Sequence, residues 1–251
     1  MDSVVTESEY ESTIENIPKL LADAEEYFKL IIASEANIME ETLSQINKNI
    51  LDAHSMTMAT LIHLVKAKSK VNGNSNSKTS EKITLITSFV QGSRVSKELI
   101  LSGQYIKASS TLKQDFEFMT RLKGVNNESN RYGVQPNARN APEGLRFIYG
   151  QTNDIAHISK ENFLKFYVGL ETNQGFGSTP IPQIKLSHSS SFMLYLTAIT
   201  FEILCETIEL HKEMYGIDSC YRTARIHHKH LLQIFKKIED NISTNSHADS
   251  D

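Results

Sequence analysis

Apolar residues recur at every third or fourth position from Pro18 to Lys70, and no glycine or second proline interrupts them. This spacing follows the 3.6-residue turn of an α-helix and differs from the alternation of a strand. Proline is well tolerated in a first helical turn, so Pro18 is the expected start. The segment is too long for one globular helix. We therefore predict a break between Ser34 and Asp52 and two helices that pack as a hairpin. One of its apolar stripes comprises Leu20, Leu21, Ala24, Phe28 and Ile31.

Three more helices are predicted before residue 160. They run from Ser80 to Leu101, from Tyr105 to Lys123 and from Leu145 to Ser159. Ser80 is the expected N-cap of the first of these, and Gly103 follows its end as a C-terminal stop. A long polar loop, 125–142, separates the other two, and loops of this length are more often functional than simple connections. Asn140 and Pro142 are the expected cap and first turn of the helix after the loop.

The last third of the chain contains two long predicted helices, 190–215 and 218–242. Glycine and proline in 171–183 (ETNQGFGSTPIPQ) forbid a helix there, and 181–186 is the one short strand expected. The fold class is therefore all-α, a single bundle of six or seven helices with two long irregular loops. We divide the chain into an acidic N-terminal segment (1–17), the bundle domain (18–242) and a disordered tail (243–251).

Composition limits the kind of protein. With 39% hydrophobic residues, 251 residues can bury a substantial core. We find no apolar run that approaches the roughly 18 residues needed to span a bilayer. The N-terminus is acidic, whereas a signal peptide would be basic and then apolar. We therefore predict a cytoplasmic protein with no membrane partner. Cys205 and Cys220 could pair, but Cys205 lies in an apolar helical run and is expected to be a small buried hydrophobe.

Charge is distributed unevenly. The net charge of −4 argues against bulk binding of nucleic acid. The first fifty residues contain eleven acidic residues and three lysines, whereas 219–238 contains five basic residues and no carboxylate. This basic segment could face phosphate or an acidic partner, including the acidic N-terminal helix of the same chain or of a second copy. The simpler interpretation is a solvated helix face.

A polar stripe is predicted on the helix after the long loop. With a turn of 100° per residue, the four polar side chains of this stripe fall within about 80° of one another around the helix axis. Isoleucines occupy the opposite face. On the preceding helix, Glu117 and Arg121 are spaced to pair at i, i+4, and Glu117 could accept a hydrogen bond from Arg146 or from His157. These residues form either a buried structural network, which we favour, or a catalytic or ligand site. The stripe consists of Arg146, Tyr149, Asn153 and His157.

Common signatures of cofactor and metal sites are absent from the sequence. There is no Walker loop, no GxGxxG after a strand, no GxSxG elbow and no HExxH motif. His227 and His230 lie one helical turn apart and could ligate a metal, but no third ligand is evident nearby. We predict neither a cofactor nor a metal.

The last helix carries two arginine–histidine pairs with four residues between the members, Arg222 with His227 and Arg225 with His230. Metal-independent RNA cleavage requires an arginine that binds phosphate and a histidine that moves a proton. In these residues the chain resembles the HEPN superfamily of helical bacterial proteins, many of them defence or toxin components. Its ribonucleases carry an arginine, four to six residues and a histidine on a late helix. Residues 104–157 also resemble helical bacterial proteins of no known activity.

Two functions follow as hypotheses. The first, which we favour, is a non-enzymatic helical interaction protein in a bacterial defence or stress system. It would form a homodimer or bind a protein partner through the long loop and the basic last helix. The second, which the resemblance implies, is an HEPN-like ribonuclease that acts on RNA through Arg222, Arg225, His227 and His230, with active sites formed between two copies.

Overall fold

A computed structural model describes residues 16–125, 136–156, 161–172 and 175–248 of the chain. This part confirms the all-α class. It contains eight α-helices, one more than the largest number predicted, because 161–168 forms a separate short helix. Two 3-10 turns, Ala138–Asn140 and Glu143–Leu145, precede the fifth helix. The helices are α1 (Ile17–Gln45), α2 (Lys48–Ala67), α3 (Ser77–Leu101), α4 (Tyr105–Gly124), α5 (Arg146–Ala156), α6 (Glu161–Val168), α7 (Leu186–Tyr215) and α8 (Ser219–Ala248).

The break between α1 and α2 lies at Ile46 and Asn47, within the predicted interval. Ile46 adopts an extended backbone, and the side chain of Asn47 accepts a hydrogen bond from the amide of Asn49 at 2.8 Å. The predicted hairpin is wrong, because α1 contacts α3 and α7 near its C-terminal end and does not lie along α2. Every residue from 16 to 30 is exposed. The first half of α1 therefore projects from the bundle.

Helix α3 begins one turn earlier than predicted. Asn76 is its N-cap, and its side chain accepts from the amide of Thr79 at 3.0 Å. The hydroxyl of Thr79 accepts in return from the amide of Asn76 at 2.8 Å, which completes a capping box. Ser80 therefore lies inside the helix. The predicted stop is confirmed: Gly103 follows the helix with φ of 79°, a conformation that favours glycine.

Helix α7 is the centre of the bundle. It packs against α2, α3, α4 and α8, and most of the large side chains on it are buried. By length and composition α7 could cross a membrane, contrary to our expectation for apolar runs, and more than half of its most apolar window is buried inside the bundle. A core helix has the same composition, so the cytoplasmic location and the absence of a membrane partner stay predictions.

The irregular segments differ from prediction in detail. The only strands among the described residues are β1 (Gly169–Thr172) and β2 (Gly175–Ser178), an antiparallel hairpin in which Gly169 pairs with Ser178. The predicted strand at 181–186 is absent, since proline donates no ladder hydrogen bond and two prolines lie at 180 and 182. Before α5, Asn137 caps the first 3-10 turn and Pro142 precedes the second, so neither Asn140 nor Pro142 starts the helix itself.

The last helix is longer than predicted. Helix α8 continues to Ala248, so most of the predicted disordered tail is helical. Residues 1–15, most of the predicted acidic segment, lie outside the described residues, as do 126–135 of the long loop and 249–251 of the tail. Cys205 and Cys220 are both free and half-buried.

Candidate functional site

Arg146 lies at the start of α5 and binds the backbone that leads into the helix. Its Nε donates to the carbonyl of Ala141 at 3.2 Å, and its Nη2 donates to the carbonyl of Arg139 at 3.1 Å. These bonds tie the first 3-10 turn to α5. Glu117 therefore does not receive the hydrogen bond from Arg146 that the sequence had suggested.

Tyr149 and Asn153 follow Arg146 along the same helix and are both half-buried. The ring of Tyr149 packs on Phe116 of α4 with centroids 5.7 Å apart, and the ammonium of Lys113 lies 5.9 Å from the Tyr149 centroid. The predicted fourth member of the stripe, His157, lies outside the described residues. Tyr149 thus helps α5 to pack on α4, as expected for an aromatic residue at the edge of a core.

Glu117 and Arg121 face a different neighbour, α3. Both line a cavity of about 740 Å³ between α3 and α4. Arg121 donates from Nε and Nη2 to one carboxylate oxygen of Glu81, at 3.3 and 3.1 Å. The structure therefore brings Glu117 and Arg121 to one cavity and directs Arg146 elsewhere. Sequence reasoning missed Glu81 because it lies forty positions from Arg121 and no local spacing connects them.

The arginines and histidines of α8 do not share one surface. Arg222 and His230 are exposed, and Nη1 of Arg225 lies 3.9 Å from a carboxylate oxygen of Glu209 on α7. His227 turns toward α2 instead. On a regular helix, residues five positions apart are turned about 140° from each other, so the two members of each pair point in different directions.

The imidazole of His227 has a defined hydrogen-bonding role. The hydroxyl of Thr60 donates to the carbonyl of Met56 at 2.8 Å, and Nδ1 of His227 lies 2.9 Å from the same hydroxyl oxygen. Nδ1 of His227 donates to Thr60 in the tautomer that carries its proton on Nδ1, because the hydroxyl then donates to Met56. His227 therefore connects α8 to α2. Its neighbour His228 stacks on Phe201 with centroids 5.2 Å apart, and burial, followed by the charge of Arg225, lowers the pKa of His228.

An ion-pair network that the sequence analysis did not single out joins α3, α4 and α7. The ammonium of Lys123 lies 2.8 Å from Glu202 and 3.4 Å from Glu206, and that of Lys82 lies 3.7 Å from Glu206. The side chains of Lys82 and Lys123 are 5% and 19% exposed. The i, i+4 spacing of the two glutamates was visible in the sequence, but their partners come from other helices.

The first half of α1 presents an apolar surface that is exposed in the described part of the chain. Seven of its large apolar residues between 17 and 32 are 37–67% exposed, and Ile31 is half-buried. Each would be buried in an ordinary bundle helix. We call this region the α1 surface; it consists of Ile17, Leu20, Leu21, Tyr27, Phe28, Leu30 and Ile32.

Within the described residues, no group of three or more histidine, cysteine, aspartate or glutamate side chains is arranged to hold a metal ion. Comparisons of the chain with protein-family models, with curated proteins and with solved structures find no match. The resemblance to HEPN proteins therefore rests on the α8 residues alone.

Proposed function

We propose that the chain is a non-enzymatic helical interaction protein that associates with a second copy through the α1 surface. The observation that carries the proposal is that every residue from 16 to 30 is exposed in a helix rich in large apolar side chains. Helices in proteins owe most of their stability to the packing of an apolar face. Contiguous exposed apolar patches mark interaction sites on soluble proteins.

The size of the α1 surface supports this proposal. Leu30 is turned to the opposite face of the helix, and the other six side chains, with exposed fractions of 37–67%, present roughly 600 Å² against the approximately 800 Å² that each partner contributes to a standard interface. Burial of this area would supply the apolar contact that α1 lacks within its own chain.

The spacing along α1 favours a second copy as the partner. Five apolar residues of α1, from Ile17 to Ile31, follow one another at alternating steps of four and three residues, which is the spacing of a coiled-coil seam. Its continuation, Ile38, is already buried in the bundle. Two copies related by a twofold axis would each bury the same face, as in most homodimers. The seam comprises Ile17, Leu21, Ala24, Phe28 and Ile31.

The mass of the full chain in solution tests the proposal. We expect light scattering to give a dimer for the native chain and a monomer for the double variant Leu21→Glu, Phe28→Glu, since each copy would place two charges in the seam. Ile62→Glu, at a 43% exposed position of α2, is the matched control and should remain dimeric. A native chain that stays monomeric up to about 100 μM, well above a micromolar dissociation constant, would overturn the proposal.

The ribonuclease alternative needs an arginine and a histidine that reach one phosphate. The exposed Arg222, the contact of Arg225 with Glu209 and the bond of His227 to Thr60 do not supply such a pair within one chain. The interaction protein is therefore the better supported function. A place in a bacterial defence or stress system, supported by the HEPN resemblance, belongs to the same proposal.

A further inference from the structure

A second cavity lies where the end of α2, the first half of α3 and the last turns of α7 meet. Its volume is about 350 Å³, within the range of roughly 300–1,000 Å³ for small-molecule sites. Two rim residues, Ser69 and Ile83, are exposed, so the cavity is open to solvent. Its walls are mainly apolar and include Leu64, Val65, Ile86, Leu210 and Met214.

One end of the cavity is polar and its side chains are held in place. The ammonium of Lys68 lies 2.8 Å from Oδ2 of Asp218 and 5.0 Å from the ring centroid of Tyr215. Nε2 of His211 donates to the other oxygen of Asp218 at 3.0 Å. Two N–H groups of the ammonium remain available to a ligand beyond the one directed at Asp218.

The charge of the lining indicates the kind of ligand. The described residues that line the cavity include Lys68, His211 and Tyr215 but no carboxylate. Asp218 contacts Lys68 and His211 without lining the cavity itself. An anionic group at the polar end would therefore share the ammonium of Lys68 with Asp218, whereas an organic cation would meet the same ammonium and no carboxylate in the lining. The apolar walls would cover a hydrocarbon chain.

We propose that this cavity binds a medium-chain fatty carboxylate, with its chain against Leu64, Ile86 and Met214 and its carboxylate at the ammonium of Lys68. The proposal does not depend on the α1 surface, which lies on another part of the chain. The competing explanation is an incompletely packed interior. Protein interiors leave few voids larger than a water molecule, and a void without a ligand would show no preference for one head group.

Calorimetric titration of the full chain with three eight-carbon probes separates the two explanations. We expect octanoate to bind at least tenfold more tightly than octylamine, with octanol between them. Octanoate gains a charge-assisted hydrogen bond from Lys68, octanol accepts a neutral one, and the ammonium of octylamine is repelled. Decanoate should bind roughly tenfold more tightly than octanoate because its two additional methylenes are buried. The proposal fails if octanoate does not bind, or if octanoate, octanol and octylamine bind equally.

Two substitutions on α3 locate the site. Thr87 lines the cavity, and Thr87→Leu should fill part of it and weaken octanoate binding at least tenfold. Thr84 lies one turn earlier on an exposed face and does not line the cavity, so Thr84→Leu should bind octanoate as the native chain does. Equal binding by both variants would place octanoate elsewhere and overturn the proposal.

A variant at the polar end tests the head group independently if Thr87→Leu does not fold. Lys68→Gln should retain the binding of octanol but lose the preference for octanoate over octanol. A preference that survives in Lys68→Gln would contradict the role of the ammonium.

Discussion

Tyr105 and Tyr167 pack in the core with ring centroids 5.4 Å apart. Of these two tyrosines, only Tyr105 has a hydroxyl that is hydrogen-bonded within the described residues. The Tyr105 oxygen accepts from the amide of Lys185 at 2.7 Å and lies 2.8 Å from Oγ of Ser189. It thereby ties the segment before α7 to the start of α4. The Tyr167 hydroxyl is buried without a partner among the described residues, and burial raises the pKa of Tyr167 to about 12.

Removing each of these hydroxyls should therefore have different effects on stability. We expect Tyr105→Phe to lower the free energy of unfolding by about 1–3 kcal/mol, because Lys185 and Ser189 lose their partner in the interior. Tyr167→Phe should be neutral or stabilising by about 1 kcal/mol, because it deletes an unsatisfied buried group. Urea unfolding of both variants tests this pair. Equal losses would mean that the Tyr167 hydroxyl has a partner in solution.

The buried carboxyl of Asp115 should make stability depend on pH near neutrality. Burial raises the pKa of Asp115 to about 7, although the hydrogen bond from Ser96 at 2.6 Å opposes this shift. Below about pH 4 the carboxyl is protonated in both the folded and unfolded states. As the pH rises from about 4 to 7, only the unfolded state ionises, and the native protein loses about 4 kcal/mol of stability.

Asp115→Asn removes this ionisation. Relative to the native protein, we expect the variant to gain stability as the pH rises from 4 to 8, and urea unfolding at several pH values measures the change. Asp52→Asn, at an exposed position of α2, is the control and should follow the native curve. Parallel curves for the native protein and Asp115→Asn would contradict the prediction.

Asp218 joins α2, α7 and the start of α8. It accepts from the amide of Tyr221 at 2.8 Å, which caps α8, as well as from His211 and Lys68. We expect Asp218→Ala to lower the free energy of unfolding by about 1–3 kcal/mol. Asp218→Asn should cost less, because asparagine can still cap the helix but does not pair with Lys68.

The pH dependence distinguishes the charge of Asp218 from its capping role. Partial burial works to raise its pKa, but the hydrogen bonds from Lys68, Tyr221 and His211 outweigh that effect and hold the pKa of Asp218 below its usual range. Its ionised form therefore stabilises the native state above about pH 4. That contribution is lost as the pH falls further. Thermal unfolding should show the difference between native and Asp218→Asn proteins shrinking from pH 5 to pH 2; a constant difference would exclude the charge as its cause.

Cleavage of a mixed pool of labelled RNA in EDTA tests the ribonuclease alternative. Because the arginines and histidines of α8 point in different directions, we expect no cleavage that depends on His227 and His230. The control is the double variant His227→Ala, His230→Ala. Cleavage by the native chain that disappears in the double variant would support the ribonuclease and would place its active site between copies.

The sequence alone determined the helical class and several helix ends. Spacings of three and four residues predicted the helices, because helix formation depends on residues within one turn of each other. The stop at Gly103 was visible for the same reason, since a glycine with positive φ ends a helix locally. The start of α3 was missed by one turn because Asn76, Thr79 and Ser80 are all capping residues and only the side-chain bonds distinguish them.

Tertiary structure alone decided which side chains meet. Arg121 pairs with Glu81 rather than serving a polar cluster with Arg146, and the two paired residues are forty positions apart in the sequence. The apolar stripe of α1 indicated a buried face, yet its first half projects from the bundle. Periodicity describes which face of a helix is apolar, whereas the partner of that face depends on how distant segments compete to pack against one another.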